Sequence, residues 1–585
     1  MKTTIPDSLP GGDEALREAI AGGNLPTLMM VAMQLSGELD LLERDGRPSR
    51  MALPFDEGTD EMSPETQSRL RERVFQLLRA WRDSGAGLPP VPPPATLMRM
   101  MGFCVGEQIP AEYVPMMLSD MGFNSDVNSN VNRDLQHIRP DAPEKPRTDT
   151  QRHDARPSAI VIGAGASGLL AGIKLREAGL AFTIIEKNAT LGGTWFENTY
   201  PDCRVDTPNH FYSYSFEPNH DWSCFYSPQP ELLRYLQHCA HKYGINPHIR
   251  FKTEVTQARF DEHGRCWRVT VKNRDGEQEQ LSADVLICAV GQLNRPKLPR
   301  IEGLDRFQGP AFHSAHWDHD CDLRDRRVSV IGTGASAMQF VPRIAEQVGR
   351  LSIFQRSPQW ALHNPFYHQR VSAPKRWLLQ HLPYYASWYR FRLFWGFADA
   401  LLPSLRRDPD WAHPERSMNA RNDQHRRMFL RYIEEQVGDD PALLAKVRPD
   451  YPPFGKRMLI DNHWYRTLKR DNVDLLTDPI LRIEPDAIVT EHDRVPTDVI
   501  IYATGFHANR LTWPIEFIGR GGRRLSERWG EDDPRAFLGI CVPEFPNLFL
   551  MYGPNTNLAH GGSIIFHAEC QMHFIMACLH KLLRA

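Results

Sequence analysis

A basic excess is the first thing these 585 residues lack, since 69 lysines and arginines stand against 72 aspartates and glutamates. Phosphate contacts normally demand surplus cations, so a nucleic-acid binder is set aside. Dithiol pairs are absent too: the ten cysteines are scattered, with no C-x-x-C and no metal-ligand spacing. Reduced thiols and no metal site are expected. No apolar run approaches the ~20 residues of a membrane-spanning helix. Met1 to Pro10 has neither the basic nor the apolar stretch of a signal peptide. The expectation is a soluble, cytoplasmic protein without a transmembrane segment. The scattered serines form no nucleophile elbow, so the difficult chemistry is expected to reside in a cofactor.

What is present divides the chain into two to four domains. Residues 1–150 carry no dinucleotide signature. Ala15-Leu16, Ala19-Ile20, Leu28 to Met33 and Leu70 to Trp81 space apolar residues every three to four positions, which predicts short amphipathic helices. Prolines 89, 90, 92, 93 and 94 interrupt them, and Asp141 to Pro157 has the polar composition of a linker. An α-helical extension serving packing, or a homodimer contact, is expected.

From Ser158 the pattern turns to strand, glycine turn and helix. Ala159 to Ile162 leads into Gly163-Ala164-Gly165-Ala166-Ser167-Gly168, and a second strand ends at Glu186, eighteen residues beyond Gly168. Glycines 163, 165 and 168 allow a tight turn and close approach to a pyrophosphate at the helix N-terminus, beside Ser167. Glu186 would accept hydrogen bonds from an adenosine ribose. A second copy follows Arg327 to Ile331 as Gly332-Thr333-Gly334-Ala335-Ser336-Ala337, and its next strand ends in Gln355-Arg356-Ser357. The acid is missing there, and Arg356 can pair with a 2′-phosphate instead, which favours NADPH over NADH. The fold class expected is α/β with two Rossmann-like domains. Asp284 to Gly291 and Asp498 to Gly505 are alike, each an apolar strand led by Asp and closed by glycine. The late strand's Ala503-Thr504-Gly505 resembles the A-T-G motif of two-dinucleotide-domain flavoproteins. That implies a discontinuous flavin domain (151–310 and 496–585) with a nicotinamide domain (311–495) inserted. An aromatic-rich helical insertion, about 361–450, interrupts the latter; its Trp377, Tyr384, Trp388, Phe391 and Trp395 suit a helix core, with a substrate tunnel or membrane contact as the alternative.

Between the two turns, Phe307-Gln308-Gly309-Pro310-Ala311-Phe312-His313-Ser314-Ala315-His316-Trp317-Asp318 has the form F-x-G-x-x-x-H-x-x-x-W-D. This resembles the fingerprint of type I Baeyer–Villiger monooxygenases. The resemblance runs from about Arg156 onward and implies FAD, NADPH, O2 and a small-molecule ketone converted to an ester or lactone through a C4a-peroxyflavin. The segment Gly192-Gly193-Thr194-Trp195 to Tyr200-Pro201-Asp202-Cys203-Arg204-Val205-Asp206 resembles the family's G-G-T-W…Y-P-G-A-R-x-D, with Asp202-Cys203 in place of Gly-Ala. By that likeness Thr194, Trp195, Asp206 and Tyr212 would touch FAD, Val255 would offer its backbone to the adenine, and Arg204 would approach NADP. Tyr451 to Arg457 resembles the family's K-R segment: Lys456 would help hold NADPH, and Arg457 would be the catalytic cation, oriented by Asp206. A permanently charged guanidinium suits that task because it stabilises an anionic oxygen without losing its proton. His313 fits a structural hydrogen bond better than proton transfer. The helical extension resembles the hydroxyacetophenone branch. Two alternatives remain: an N- or S-monooxygenase, against which Trp317-Asp318 and Arg457 speak, and an uncoupled flavoprotein, since family members usually continue past Ala585. A disulfide reductase is disfavoured because Cys203 has no partner cysteine nearby.

Overall fold

The computed structural model describes residues 9–42, 46–51, 58–123, 157–558 and 561–584; most of the expected linker lies outside them. Two five-stranded parallel sheets organise the chain. The first runs, in spatial order, 548–550, 285–288, 158–162, 181–185 and 249–250; the second runs 473–476, 350–354, 327–331, 499–502 and 311–313. Helices Ala166–Glu177 and Ala335–Ile344 follow the two glycine turns. The central strands are buried on both faces, which explains why they are almost wholly apolar, with Ser329 the one polar residue in Val328 to Ile331.

The two sheets repeat one solution down to single atoms. Asp284 Oδ2 accepts the Ser158 amide at 2.9 Å, and Asp498 Oδ2 accepts the Arg327 amide at 2.9 Å. Gly163 has φ +102° and Gly332 φ +109°, and a Cβ added there would meet the carbonyl oxygen of Ala289 at 2.7 Å or Ala503 at 2.4 Å. Both contacts are too close for any side chain.

This repetition corrects one expectation. The strand after Asp498 lies between 327–331 and 311–313, so it completes the second sheet, not the flavin domain. The first sheet is still discontinuous, but its late strand is 548–550, beside 285–288. Both Asp-led strands occupy the same place in their own folds, and sequence pattern alone cannot tell which parent sheet each joins.

Around this frame lie a four-stranded sheet (516–518, 253–261, 266–273, 278–283) and a three-stranded one (480–484, 487–490, 494–496). The N-terminal residues form helices Gly12–Ala21, Leu25–Ser36, Pro64–Asp83, Pro94–Val105 and Tyr113–Asp120. Pro94 begins a helix, where its missing N–H costs nothing. These helices cover the aromatic helix Tyr385–Phe397 of the insertion. Trp388 is fully buried and its indole donates to Gln34 Oε1 at 2.7 Å; Trp395 donates to Glu107 Oε1 at 2.7 Å and meets Tyr113 edge-on at 5.6 Å. Trp388 and Trp395 of the aromatic stripe are therefore core between extension and insertion. The extension's packing role is met within one chain. Among the described residues no helix is long and apolar enough to cross a membrane, no metal-binding cluster occurs, and all ten cysteines are free.

Candidate active site

A cleft of about 530 Å3 runs between the two glycine turns. Gly163, Gly165, Ser167, Glu186, Thr194, Trp195, Tyr212 and Val255 line it from the first fold, and Gly334 and Ser336 from the second; Arg204, Asp206 and Arg457 lie between them. Gly168 is set behind the turn, where a Cβ would fall 1.8 Å from the Gly163 oxygen. Gly332, Thr333 and Ala337 likewise shape the second turn from outside the cleft lining.

Glu186 ends its strand buried, with Oε2 accepting the Ala164 amide at 2.7 Å and Oε1 the Asn188 amide at 2.8 Å. Burial nevertheless pushes its carboxyl above the usual range. The carboxylate is thus fixed beside the first turn with acceptor capacity left for ribose hydroxyls. Gly193 (φ +54°) lets this wall approach closely: a Cβ there would be 2.9 Å from the Gly165 Cα. Trp195 donates its indole N–H to the Tyr212 hydroxyl at 3.1 Å, the rings meeting edge-on. Together these groups leave the depth, donors and acceptors that a flavin dinucleotide requires.

The second strand end is chemically opposite. Gln355 is buried and turned away, donating to the Lys446 carbonyl at 2.7 Å. Arg356 is exposed, and Lys456 donates to Ser357 Oγ at 2.5 Å. Burial and the neighbouring Arg356 charge pull the Lys456 ammonium below its ordinary range. Two cations and a hydroxyl therefore gather at the second strand end. This group stands outside the main cleft lining.

Arg457 precedes the short strand 459–460, which pairs with 361–362. Its Nη2 donates to both Asp206 oxygens, at 2.9 and 2.8 Å, its Nε donates to Oδ2 at 3.1 Å, and its Nη1 donates to the Leu558 carbonyl at 2.9 Å. The Asp206 carboxylate raises the guanidinium further above its already high range. The side chain is 39% exposed, so it is a fixed cation that still offers a face to the cleft. Beside it is a small apolar cavity of about 50 Å3, walled by Phe397, Leu401, Phe429, Phe454 and Met458. His425 lines it too; burial pushes this imidazole down to about 4, so it is neutral at physiological pH.

The signature segment is structural. Its Ala311–His313 is the edge strand of the second sheet, Ser314 Oγ lies 3.1 Å from Ser336 Oγ in the second turn, and Trp317 packs edge-on between Phe312 and Phe340. His313 is buried and accepts the Ala315 amide at 3.1 Å, and burial lowers its pKa to about 4. It does not line the cleft. Cys203 is buried, its thiol pushed up to about 12, which suits no redox role.

Sequence reasoning missed Gln339. Its amide donates to the Arg204 carbonyl at 3.0 Å and the Tyr367 hydroxyl at 2.8 Å, while its oxygen accepts from Tyr200 at 3.0 Å. Nothing in a buried helical glutamine marks it as the bolt between two folds. Tyr552 and Leu558, which close the Arg457 side, carry no motif either.

Comparisons with known proteins agree with this geometry. Residues 157–370 match the FMO-like family, described as flavin-binding monooxygenase-like. An uncharacterized monooxygenase of Sinorhizobium fredii is 38% identical over 568 residues, spanning 97% of this chain and 83% of the relative. A Baeyer-Villiger monooxygenase of Streptomyces coelicolor is 36% identical over 425 residues, 72% of this chain and 78% of the relative. A solved steroid monooxygenase bound to NADP superposes with a TM-score of 0.62 at 31% identity, over 73% of this chain and 86% of that one. The OTEMO complex with FAD and NADP gives 0.63 at 30% identity, with the same coverage. On likeness of this extent, the chain belongs to the type I Baeyer–Villiger monooxygenases.

Proposed function

We propose that the protein is an FAD- and NADPH-dependent monooxygenase that converts apolar ketones, aryl ketones among them, to esters or lactones. The observation that carries this is Arg457, held by Asp206 between the two dinucleotide turns and beside an apolar cavity. When bound, NADPH supplies two electrons and the flavin activates O2, so that one oxygen atom enters beside the ketone carbonyl and the other leaves as water.

The chain's own residues do the rest. Glu186 accepts from the flavin-side ribose, and Trp195 and Tyr212 wall the ring end of the cleft. Arg356, Ser357 and Lys456 take the 2′-phosphate, with Arg356 free to form the bidentate pair. Arg457 supplies a permanent positive charge to oxygens that become anionic during the reaction, and Asp206 spares it any reorientation. Phe397, Phe429, Phe454 and Met458 receive the apolar part of the ketone and exclude water from it. Neutral His425 adds no competing charge.

The test is product analysis on purified protein with aryl, cyclic and linear ketones and NADPH. Esters or lactones formed in step with NADPH consumption are expected. Amine or sulfide oxygenation without any ester would replace this reading with an N- or S-monooxygenase. Hydrogen peroxide alone would mark an uncoupled flavoprotein.

A further inference from the structure

Asp202 has φ +61°, a left-handed conformation that favours glycine and that Asp tolerates better than most residues. Its carboxylate is fully engaged. Oδ1 accepts from Arg204 Nη2 at 2.8 Å and Oδ2 accepts from Asn462 Nδ2 at 2.9 Å. Arg204 Nη1 lies 2.8 Å from His368 Nδ1, and His368 Nε2 lies 2.6 Å from Asn462 Oδ1. A guanidinium can only donate, so Nδ1 must accept, the imidazole is neutral, and its Nε2–H donates to Asn462. The four side chains thus close a ring in which each hydrogen bond has one possible direction.

The ring joins parts that sequence keeps far apart. Asp202 and Arg204 follow the wall of the first turn. His368 lies in the segment after strand 361–362. Asn462 lies five residues beyond Arg457 and also donates to the Gln339 carbonyl, on the helix after the second turn, at 3.2 Å. Arg204 lines the main cleft together with Gly334, Ser336 and Gln339. Its Nη1 also donates to the Tyr367 carbonyl at 3.2 Å. A nicotinamide dinucleotide in that cleft brings amide and phosphate oxygens, which a guanidinium held at its wall can meet.

We infer that Asp202 is a positioning residue: through the ring with Asn462 and His368 it holds Arg204 at the second turn, and so sets the affinity for NADP. This rests on the cofactor reading above. Asp202 does not line the main cleft and acts only through Arg204.

The test compares native protein with Asp202→Gly, Asp202→Asn and Asn462→Ala, each loaded with FAD. Titration calorimetry with NADP+ and thermal unfolding are read beside the steady-state rates. Glycine suits the backbone of residue 202, so Asp202→Gly should keep its FAD content and melting temperature. Its Kd for NADP+ should rise about tenfold or more, as the loss of a charged hydrogen-bond partner would produce. KM for NADPH should rise with it, while kcat changes less than twofold. Asp202→Asn keeps one acceptor oxygen and should be intermediate. Should Asp202→Gly lose its flavin or unfold, Asn462→Ala, which leaves the turn intact, decides by the same Kd. Native affinity for NADP+ in both variants overturns the inference alone. Failure of native protein to bind NADP+ overturns the cofactor reading and the inference together.

Discussion

The two dinucleotide folds share one backbone and differ at one strand end. In the first, Glu186 closes the strand as a buried carboxylate fastened by the Ala164 and Asn188 amides. In the second, Gln355 occupies the equivalent place, its amide spent on a carbonyl, and the next residue, Arg356, stands exposed near Lys456. The Asp caps, glycine φ angles and forbidden Cβ positions are the same in both. Backbone geometry therefore makes a dinucleotide site, and the charge at the strand end chooses the dinucleotide. An acid accepts from ribose hydroxyls and repels a 2′-phosphate; a guanidinium does the reverse.

The largest effect is expected where the folds meet. Arg457→Ala should cut ester formation at least about a hundredfold, the scale of removing one preorganised oxyanion partner, while FAD stays bound. Any NADPH still consumed should appear as hydrogen peroxide. Arg457→Lys should restore only part of the yield, because a single ammonium nitrogen cannot reproduce the planar fork that holds Asp206 and the Leu558 carbonyl together. Full ester yield in Arg457→Ala would remove this residue from the mechanism.

Breaking the first strand end comes next. Glu186→Ala leaves two amides without their acceptor and takes the ribose partner away, a loss of about 2–3 kcal/mol or up to about a hundredfold in FAD affinity. The flavin-to-protein absorbance ratio after dialysis measures it; an unchanged ratio would show that the turn alone suffices. Breaking the second should cost less, since Arg356 is exposed and Lys456 remains. For Arg356→Ala we expect about a tenfold rise in KM for NADPH, and none for NADH. Equal rises for both would deny the contact with the 2′-phosphate.

Acid should separate the folds most gently. Burial raises the Glu186 pKa in the folded protein, so this carboxyl takes up its proton at a higher pH than an ordinary glutamate. FAD needs the ionised form as acceptor, so its affinity should fall as pH drops through that raised value and be complete above it. In Glu186→Gln, FAD affinity should be weaker but flat with pH over the same window. An identical slope in the variant would assign the titration elsewhere.

Much of the site was legible because each of its motifs is local. A strand, three glycines and an acid some twenty residues on need nothing from the rest of the chain, and Gly163 to Glu186 behave as that spacing requires. The lone Arg356 was legible by contrast with Glu186. Lys456 and Arg457 were singled out through their likeness to a known segment, for nothing in a K-R pair marks it locally. The partners of these residues were not legible. Gln339 and His368 meet Arg204 across 135 and 164 positions, Asn462 meets Asp202 across 260, and each is of a residue type common in any helix or loop.

By itself the sequence determined that there are two dinucleotide turns, which strand end carries the acid and which the arginine, and that no metal or dithiol motif is present. These are properties of short segments, fixed by backbone sterics and charge. Only the tertiary structure decided that the strand after Asp498 belongs to the second sheet, that the N-terminal helices cover the aromatic insertion, and that Asp202 closes a ring with Asn462 and His368. Parallel strands with the same apolar pattern pair equally well in either sheet until helices, turns and neighbouring strands occupy the alternatives. The choice belongs to the packing of the whole chain and not to any segment of it.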